Sequence, residues 1–172
     1  MKSQMDEDQR ARLRAIEPDK SFIVKAPAGS GKTGLLVKRY LRLLSLAESP
    51  EEVVAITFTR KASTEMRNQI QDALESALTK KKPENEHEED RIKFATDVLK
   101  QDKKKKWHLI DSPDRLRIQT IDGLSTFLTQ RMPILAKFGA QPDVTEDAKY
   151  LYKLATTDTF NLFNEDKEFL HS

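Results

Sequence analysis

Short apolar runs alternate with longer amphipathic stretches along the chain, and this alternation predicts strands that are each followed by a helix. The runs 22–24, 53–58 and 116–120 are rich in β-branched residues and have the length of buried strands. The amphipathic stretches predict helices at about 6–16, 32–46, 62–78 and 122–132, and a last one from about 145. Such alternation is typical of a parallel sheet flanked by helices, so the sequence predicts an α/β fold.

The clearest helical face lies in the third amphipathic stretch. Met66, Ile70, Leu74 and Leu78 recur every four residues, which places them on one side of a helix. We therefore expect this side to face the core.

The segment 80–107 has a different character, because basic and acidic runs follow one another in it. It ends in four consecutive lysines, Lys103 to Lys106, followed by Trp107. A helical patch with apolar residues at 92, 95, 98 and 99 is expected inside a segment that is otherwise solvated or partly disordered. The lysines and Trp107 could form a basic patch with a stacking aromatic ring. The favoured interpretation is a solvated linker that Trp107 anchors to the core.

Composition narrows the classes of chemistry that the chain can perform. Of 172 residues, 37% are hydrophobic and 34% charged, and the net charge is only +2, so nucleic-acid binding would need locally placed groups. The absence of cysteine excludes disulfides, iron–sulfur sites and thiol catalysis. No apolar run has membrane-spanning length and the start is polar, so we expect a cytoplasmic protein without membrane attachment.

A phosphate-binding loop is the strongest motif, and it lies between a predicted strand and a predicted helix. Its residues are Ala26, Pro27, Ala28, Gly29, Ser30, Gly31, Lys32 and Thr33. Gly29 and Gly31 let successive backbone N–H groups face an anion, Lys32 should reach the terminal phosphates, and the Thr33 hydroxyl should bind Mg²⁺. The alternative is a glycine-rich turn that binds nothing. The motif indicates a nucleoside triphosphate without defining a reaction.

Two further blocks follow the loop in a fixed order. They are Ala55 to Met66, which reads AITFTRKASTEM, and Ile118 to Asp122, which reads IQTID. Together with the loop they resemble the first motor domain of superfamily-one DNA helicases of the UvrD/RecB type, and most of all the RecB/AddA-like helicase–nucleases. The likeness covers roughly residues 8–147.

The resemblance implies a P-loop NTPase (RecA-like) fold that is truncated in this chain. Residues 1–143 would form the N-terminal part of the first motor domain, with 80–107 as a charged, partly disordered helical insertion. Residues 144–172 would begin an all-helical inserted subdomain.

The resemblance also implies roles for single residues. Gln9 would recognise the adenine edge of ATP, and Lys32 would be the catalytic lysine; an ordinary exposed helix glutamine is the alternative for Gln9. Single-stranded DNA would be contacted by Thr57, Thr59, Arg60 and Thr120. The plain alternatives are that Thr57 is a strand former and that Arg60 solvates a helix start.

The sequence departs from the family pattern at three positions. Gly34 stands where many relatives carry arginine, so any nucleotide contact from that position is lost. Ile121 and Asp122 replace an aromatic residue and a histidine of the last block. A carboxylate beside DNA phosphates is unfavourable, so Asp122 is expected to cap the next helix instead.

Family resemblance implies an ATP-dependent DNA helicase that acts in repair and recombination, with ATP and Mg²⁺ as cofactors. It is compatible with an exodeoxyribonuclease V-like helicase–nuclease and its partner subunits. The only Asp-Glu pair, Asp6-Glu7, precedes the loop and follows no apolar strand, so it is not the hydrolytic acidic pair. We expect a monomeric, hydrolytically inactive fragment. The alternatives are another P-loop NTPase such as a kinase, or a non-catalytic nucleic-acid-binding module.

Overall fold

The computed structural model describes residues 2–27, 29–132 and 147–169, which divide into two units, 1–128 and 129–172. Its helices and strands are, in chain order, α1 (Lys2–Arg14), α2 (Lys32–Leu44), β1 (Val54–Thr57), α3 (Arg60–Leu78), α4 (Glu86–Lys105), β2 (Arg117–Thr120), α5 (Ile121–Arg131) and α6 (Lys149–Phe169). Single 3-10 turns at Pro50–Glu52 and Pro113–Arg115 precede the two strands. Among these described helices, none is long and apolar enough to cross a membrane.

The two strands of the first unit form a parallel pair, as the sequence predicts. Their register runs from Val54 opposite Arg117 to Thr57 opposite Thr120. The chain crosses from β1 to β2 through α3 and α4, which is the connection that parallel strands require. The register brings the carboxyl ends of β1 and β2 side by side.

The core of the first unit lies where α2, α3, α4 and the strands meet. Met66, Ile70 and Leu74 are buried on one face of α3 as predicted, whereas Leu78 at the end of the helix is exposed. The main cluster consists of Val37, Tyr40, Leu41, Leu44, Ala47, Val53, Met66, Ile70, Ala73, Leu74, Ala95, Val98, Trp107, Leu109, Leu116 and Ile118. Burial raises the pKa of the Tyr40 hydroxyl, which donates to the Val53 carbonyl at 3.2 Å.

Segment 80–107 contains a longer helix than the helical patch that its apolar residues predict. Residues 86–105 form the continuous helix α4, which the Asn85 side chain caps by accepting from the Glu88 N–H at 2.9 Å. Ala95 and Val98 are buried against α2 and α3. One apolar face is enough to dock the helix, while the charged residues solvate its other side.

Trp107 anchors the end of this segment to the core, as the favoured interpretation held. Its ring is 4% exposed, and its indole N–H donates to the Glu48 carbonyl at 3.3 Å. A ring buried in this way offers no face on which a nucleic-acid base could stack.

The predicted first strand, 22–24, is wrong. Residues 21–27 are extended chain without a ladder, and the Ile23 side chain is 99% exposed. Among the described residues, β1 and β2 pair only with each other, so this segment has no neighbouring strand to satisfy its backbone groups. Phe22 instead packs beside Arg39, whose guanidinium lies 5.3 Å from the ring centre.

The second unit is described over 129–132 and 147–169. Its helix α6 begins at Lys149, close to the predicted start. Leu151 and Leu162 of this helix are both exposed. The proposed domain boundary between 143 and 144 lies outside the described residues.

Candidate functional site

The predicted phosphate loop ends in a helix whose first turn has no side-chain cap. Gly29 and Gly31 have φ angles of 74° and 80°, in the left-handed region that glycine adopts most readily. Gly31 is the N-cap residue of α2, and no side chain caps this helix start. Because the first N–H groups of a helix have no partner inside it, they remain available to an anion. Ala28 lies outside the described residues.

The Lys32 side chain curls back over the loop. Its ammonium donates to the Ala26 carbonyl at 2.7 Å and also to the Pro27 carbonyl. The structure thus brings together the first two residues and the lysine of the motif, and it holds a positive charge beside the loop backbone.

Ser30 connects the loop to α1 through an arginine that sequence reasoning missed. The Arg12 guanidinium donates to the Ser30 carbonyl at 2.9 Å and to the Asp8 carboxylate at 2.8 Å. The Ser30 hydroxyl is buried and has no hydrogen-bond partner among the described residues. The spacing of Asp8 and Arg12 predicts an ion pair along one helix, but nothing local to α1 indicates the contact with the loop.

Two clefts open on either side of Ser30. The first, of about 360 Å³, lies between α1, the extended segment 22–26 and the loop, and Lys32 lines it. The second, of about 810 Å³, lies between α1, the loop and the start of α4, and Gln9 lines it.

Gln9 is exposed on α1 and faces the same cleft as Gly29 and Gly31, so the fold brings this predicted adenine-recognition residue close to the loop. Pro27 and Thr33 are exposed, and the walls of the two clefts do not include them. Within the described ranges, no group of three or more His, Cys, Asp or Glu could hold a metal ion.

The predicted DNA-contact residues meet at the carboxyl ends of the paired strands. Thr57 and Thr120 are register partners, and each strand leads within three residues into a helix. The Thr59 hydroxyl caps α3 by accepting from the Ala62 N–H at 3.1 Å, and the Thr57 hydroxyl donates to the Thr59 carbonyl at 3.0 Å. Arg60, the first residue of α3, is exposed.

Thr120, and not Asp122, caps α5, so the predicted capping role of Asp122 was wrong. The Thr120 hydroxyl accepts from the Gly123 N–H at 3.1 Å, three residues further on. Asp122 is exposed in the first turn, where its charge still complements the helix dipole. Because α5 begins at Ile121, the N-cap position belongs to Thr120, and Asp122 lies inside the first turn of the helix.

The sequence matches the family model described as the UvrD/REP helicase N-terminal domain over residues 5–169. The chain therefore belongs to this helicase family, which confirms the resemblance drawn from its three motif blocks.

Its curated relatives include proteins named as ATP-dependent helicase/nuclease subunits. The relative from Clostridioides difficile (strain 630) is 39% identical over 82 residues, which are 45% of this chain and 6% of the relative. The relative from Moorella thermoacetica is 43% identical over 82 residues, which are 46% of this chain and 6% of the relative. The chain thus matches only a small part of the length of these proteins. No solved structure matches it.

Proposed function

We propose that this chain binds ATP together with Mg²⁺ through a P-loop, as part of an ATP-dependent DNA helicase. One observation carries the proposal: a loop with two left-handed glycines enters the uncapped α2, with the Lys32 ammonium held over it. Such a loop offers several backbone donors and a helix N-terminus to one anion. Membership of the helicase family supports ATP as that anion.

Each loop residue has a part in this proposal. The amides between Ala26 and Lys32 would hold the phosphates, and Lys32 would exchange its carbonyl partners for phosphate oxygens. The buried Ser30 hydroxyl, which has no partner in the described part of the chain, adds a further polar group there. The Thr33 hydroxyl would bind Mg²⁺, which neutralises the triphosphate charge when it is bound. Gln9 would pair with the adenine edge.

The role of Thr33 predicts a specific dependence on Mg²⁺. Binding of a fluorescent ADP analogue should tighten when Mg²⁺ is added to the unchanged chain. Thr33→Val should lose most of this tightening because it removes the hydroxyl, and Thr33→Ser should keep it. A Val variant that responds to Mg²⁺ like the unchanged chain would contradict the assignment.

We also propose that the strand ends contact single-stranded DNA through Thr57, Thr59, Arg60 and Thr120. The register of β1 and β2 supports this, since it sets the starts of α3 and α5 next to each other, and phosphate oxygens are favourable there. The exposed Arg60 guanidinium adds a positive charge at the same edge.

Binding to labelled single-stranded DNA, measured by fluorescence anisotropy, separates this proposal from binding by the lysine run. Arg60→Ala should weaken DNA binding several-fold. It should also make the slope of log affinity against log salt concentration shallower by about one. Lys103→Ala removes the same charge from an exposed residue of α4 and should have little effect. A larger loss of DNA affinity for Lys103→Ala than for Arg60→Ala would favour a nucleic-acid-binding module built on Lys103 to Lys106.

The helicase would couple ATP hydrolysis to movement along single-stranded DNA in repair and recombination, in the cytoplasm and with helicase–nuclease partner subunits. The chain itself should hydrolyse ATP only at background rates. Its Asp6-Glu7 pair lies within α1 and does not follow a strand, so it cannot serve as the hydrolytic carboxylates. Phosphate release that rises well above background with saturating single-stranded DNA would refute this expectation.

A further inference from the structure

The start of α4 forms one wall of the second cleft, opposite the phosphate loop. A salt bridge fixes it there: the Lys38 ammonium of α2 lies 2.8 Å from the Asp90 carboxylate, and the Lys38 side chain is only 12% exposed. The Asp90 side chain is 40% exposed, so the pair is partly buried, and it helps to hold the start of α4 beside the loop. The charged segment between the two DNA-contact blocks thus reaches the candidate nucleotide site.

Arg91, one turn into α4, lines this cleft without a strong partner. Its Nε is buried and finds no hydrogen-bond acceptor among the described residues, and the nearest carboxylate, Glu88, lies 4.0 Å from its Nη2. On the α2 side of the same cleft, a Cβ atom added at Gly34 would meet no neighbouring atom within 4 Å. The guanidinium therefore borders open space that is also bordered by Gly34.

The proposed phosphate-binding lysine and the proposed adenine residue line different clefts. Lys32, the residue for the terminal phosphates, lines only the first cleft, and Gln9, the residue for the adenine edge, lines only the second. Arg91 also lines only the second cleft. This cleft runs from Gly29 to Gly31 of the loop as far as Gln9, and Arg91 shares it with the proposed adenine residue.

We propose that Arg91 contacts the base of the bound nucleotide, with its guanidinium plane against the purine ring. This inference rests on the proposed nucleotide function and adds a specificity residue to it. A planar, weakly hydrated guanidinium stacks favourably on an aromatic face. Arg12 and Lys38, which also line this cleft, are already engaged by Asp8 and Asp90, whereas Arg91 has no comparably close partner in the described structure.

Affinities of the full chain for Mg·ADP and for inorganic tripolyphosphate test the proposal. Arg91→Ala should weaken ADP binding about three- to tenfold, the range expected for loss of one cation–π contact, and leave tripolyphosphate within about twofold. Lys93→Ala is the matched control, since it removes the same charge from an exposed residue of α4 that does not line the cleft. It should change neither affinity.

Unchanged ADP binding by a folded Arg91→Ala chain would overturn the proposal. An equal loss of affinity for ADP and for tripolyphosphate would overturn it too, because it would mean that Arg91 contacts the phosphates and not the base. If circular dichroism shows that Arg91→Ala does not fold, Arg91→Lys takes its place. This variant should still weaken ADP binding at least about twofold, because it lacks the planar guanidinium group. If the unchanged chain binds neither ligand, the proposed nucleotide function fails. If the unchanged chain binds ADP and the Arg91 variants bind it equally well, only the inference about Arg91 fails.

Discussion

At the scale of single residues, Arg12 holds the proposed phosphate loop in place. Its guanidinium bridges the Asp8 carboxylate on α1 and the Ser30 carbonyl in the loop. A glycine-rich loop has a large conformational entropy to lose, so an external tether that fixes its backbone should lower the cost of ordering it around an anion.

Removal of this tether should loosen the loop without unfolding the protein. In Arg12→Ala we expect amide hydrogen exchange at Gly29 to Lys32 to accelerate about tenfold, because one charge-assisted hydrogen bond is lost. Amides in the centre of α3 should keep their rates. Lys20→Ala, which removes a lysine paired with Glu17 on the surface, serves as the control. Equal loop exchange in the two variants would show that Arg12 does not restrain the loop.

The capping of α5 gives a second test at this scale. Thr120→Val removes the hydroxyl that accepts from the Gly123 N–H, and it should lower the free energy of unfolding by about 1 kcal/mol in urea denaturation. Thr120→Ser should keep most of the stability, and Asp122→Ala should cost less than Thr120→Val. A larger loss for Asp122→Ala would mean that the aspartate, as the sequence suggested, is the cap after all.

At the scale of elements, the starts of the two strands are tied to each other. The Arg115 guanidinium, just before β2, binds the Glu51 carboxylate, just before β1, at 2.7 and 3.1 Å. It also donates to the Trp107 carbonyl at 2.8 Å. This hydrogen-bonded pair lowers the pKa of Glu51 to about 2, from an ordinary value of 4.5. The pair thereby supports the register that sets Thr57 beside Thr120.

The Glu51–Arg115 pair should contribute to stability in a defined pH range. Because the pKa of Glu51 is lower in the folded state, its contribution is complete above about pH 4.5 and is lost as the pH falls towards 2. Arg115→Ala should therefore lower the free energy of unfolding by about 1–2 kcal/mol at pH 7, a range that allows for the partial exposure of both side chains.

Urea denaturation at pH 7 and pH 3 measures this difference. The gap between the unchanged chain and Arg115→Ala should narrow at pH 3, because Glu51 is then protonated in the unfolded chain while it stays ionised in the folded one. Lys100→Ala breaks an exposed pair within α4 and should cost little at either pH. A gap that stays constant or widens on acidification would contradict the assigned role of the carboxylate.

Sequence patterns predicted these elements where the signal is local and failed where it is not. The buried face of α3 follows from apolar spacing, and the strands β1 and β2 from short β-branched runs. The run 22–24 has the same composition as a strand, but a strand also needs a neighbour, which no local pattern reveals. Charge runs concealed the length of α4, because solvated residues on one face do not prevent a helix from docking by the other.

At the scale of the whole molecule, all predicted nucleotide and DNA residues lie in the first unit, between Gln9 and Thr120. The motif blocks alone pointed to the helicase family, and the family match over 5–169 bears this out. What the sequence could not provide are the contacts between distant segments. Arg12 reaches the loop from α1 and Arg91 reaches the second cleft from α4, and neither belongs to a motif.

The central claim is that the loop from Ala26 to Thr33 binds the triphosphate of a nucleotide. Isothermal titration calorimetry with Mg·ATP, on the unchanged chain and on Lys32→Ala, tests it most directly. The unchanged chain should bind ATP, and Lys32→Ala should bind about ten- to hundredfold more weakly, through loss of charge-assisted hydrogen bonds to phosphate. Its circular dichroism should stay the same, since Lys32 contacts only loop carbonyls among its described hydrogen bonds. Equal ATP affinity in two folded proteins would contradict the account.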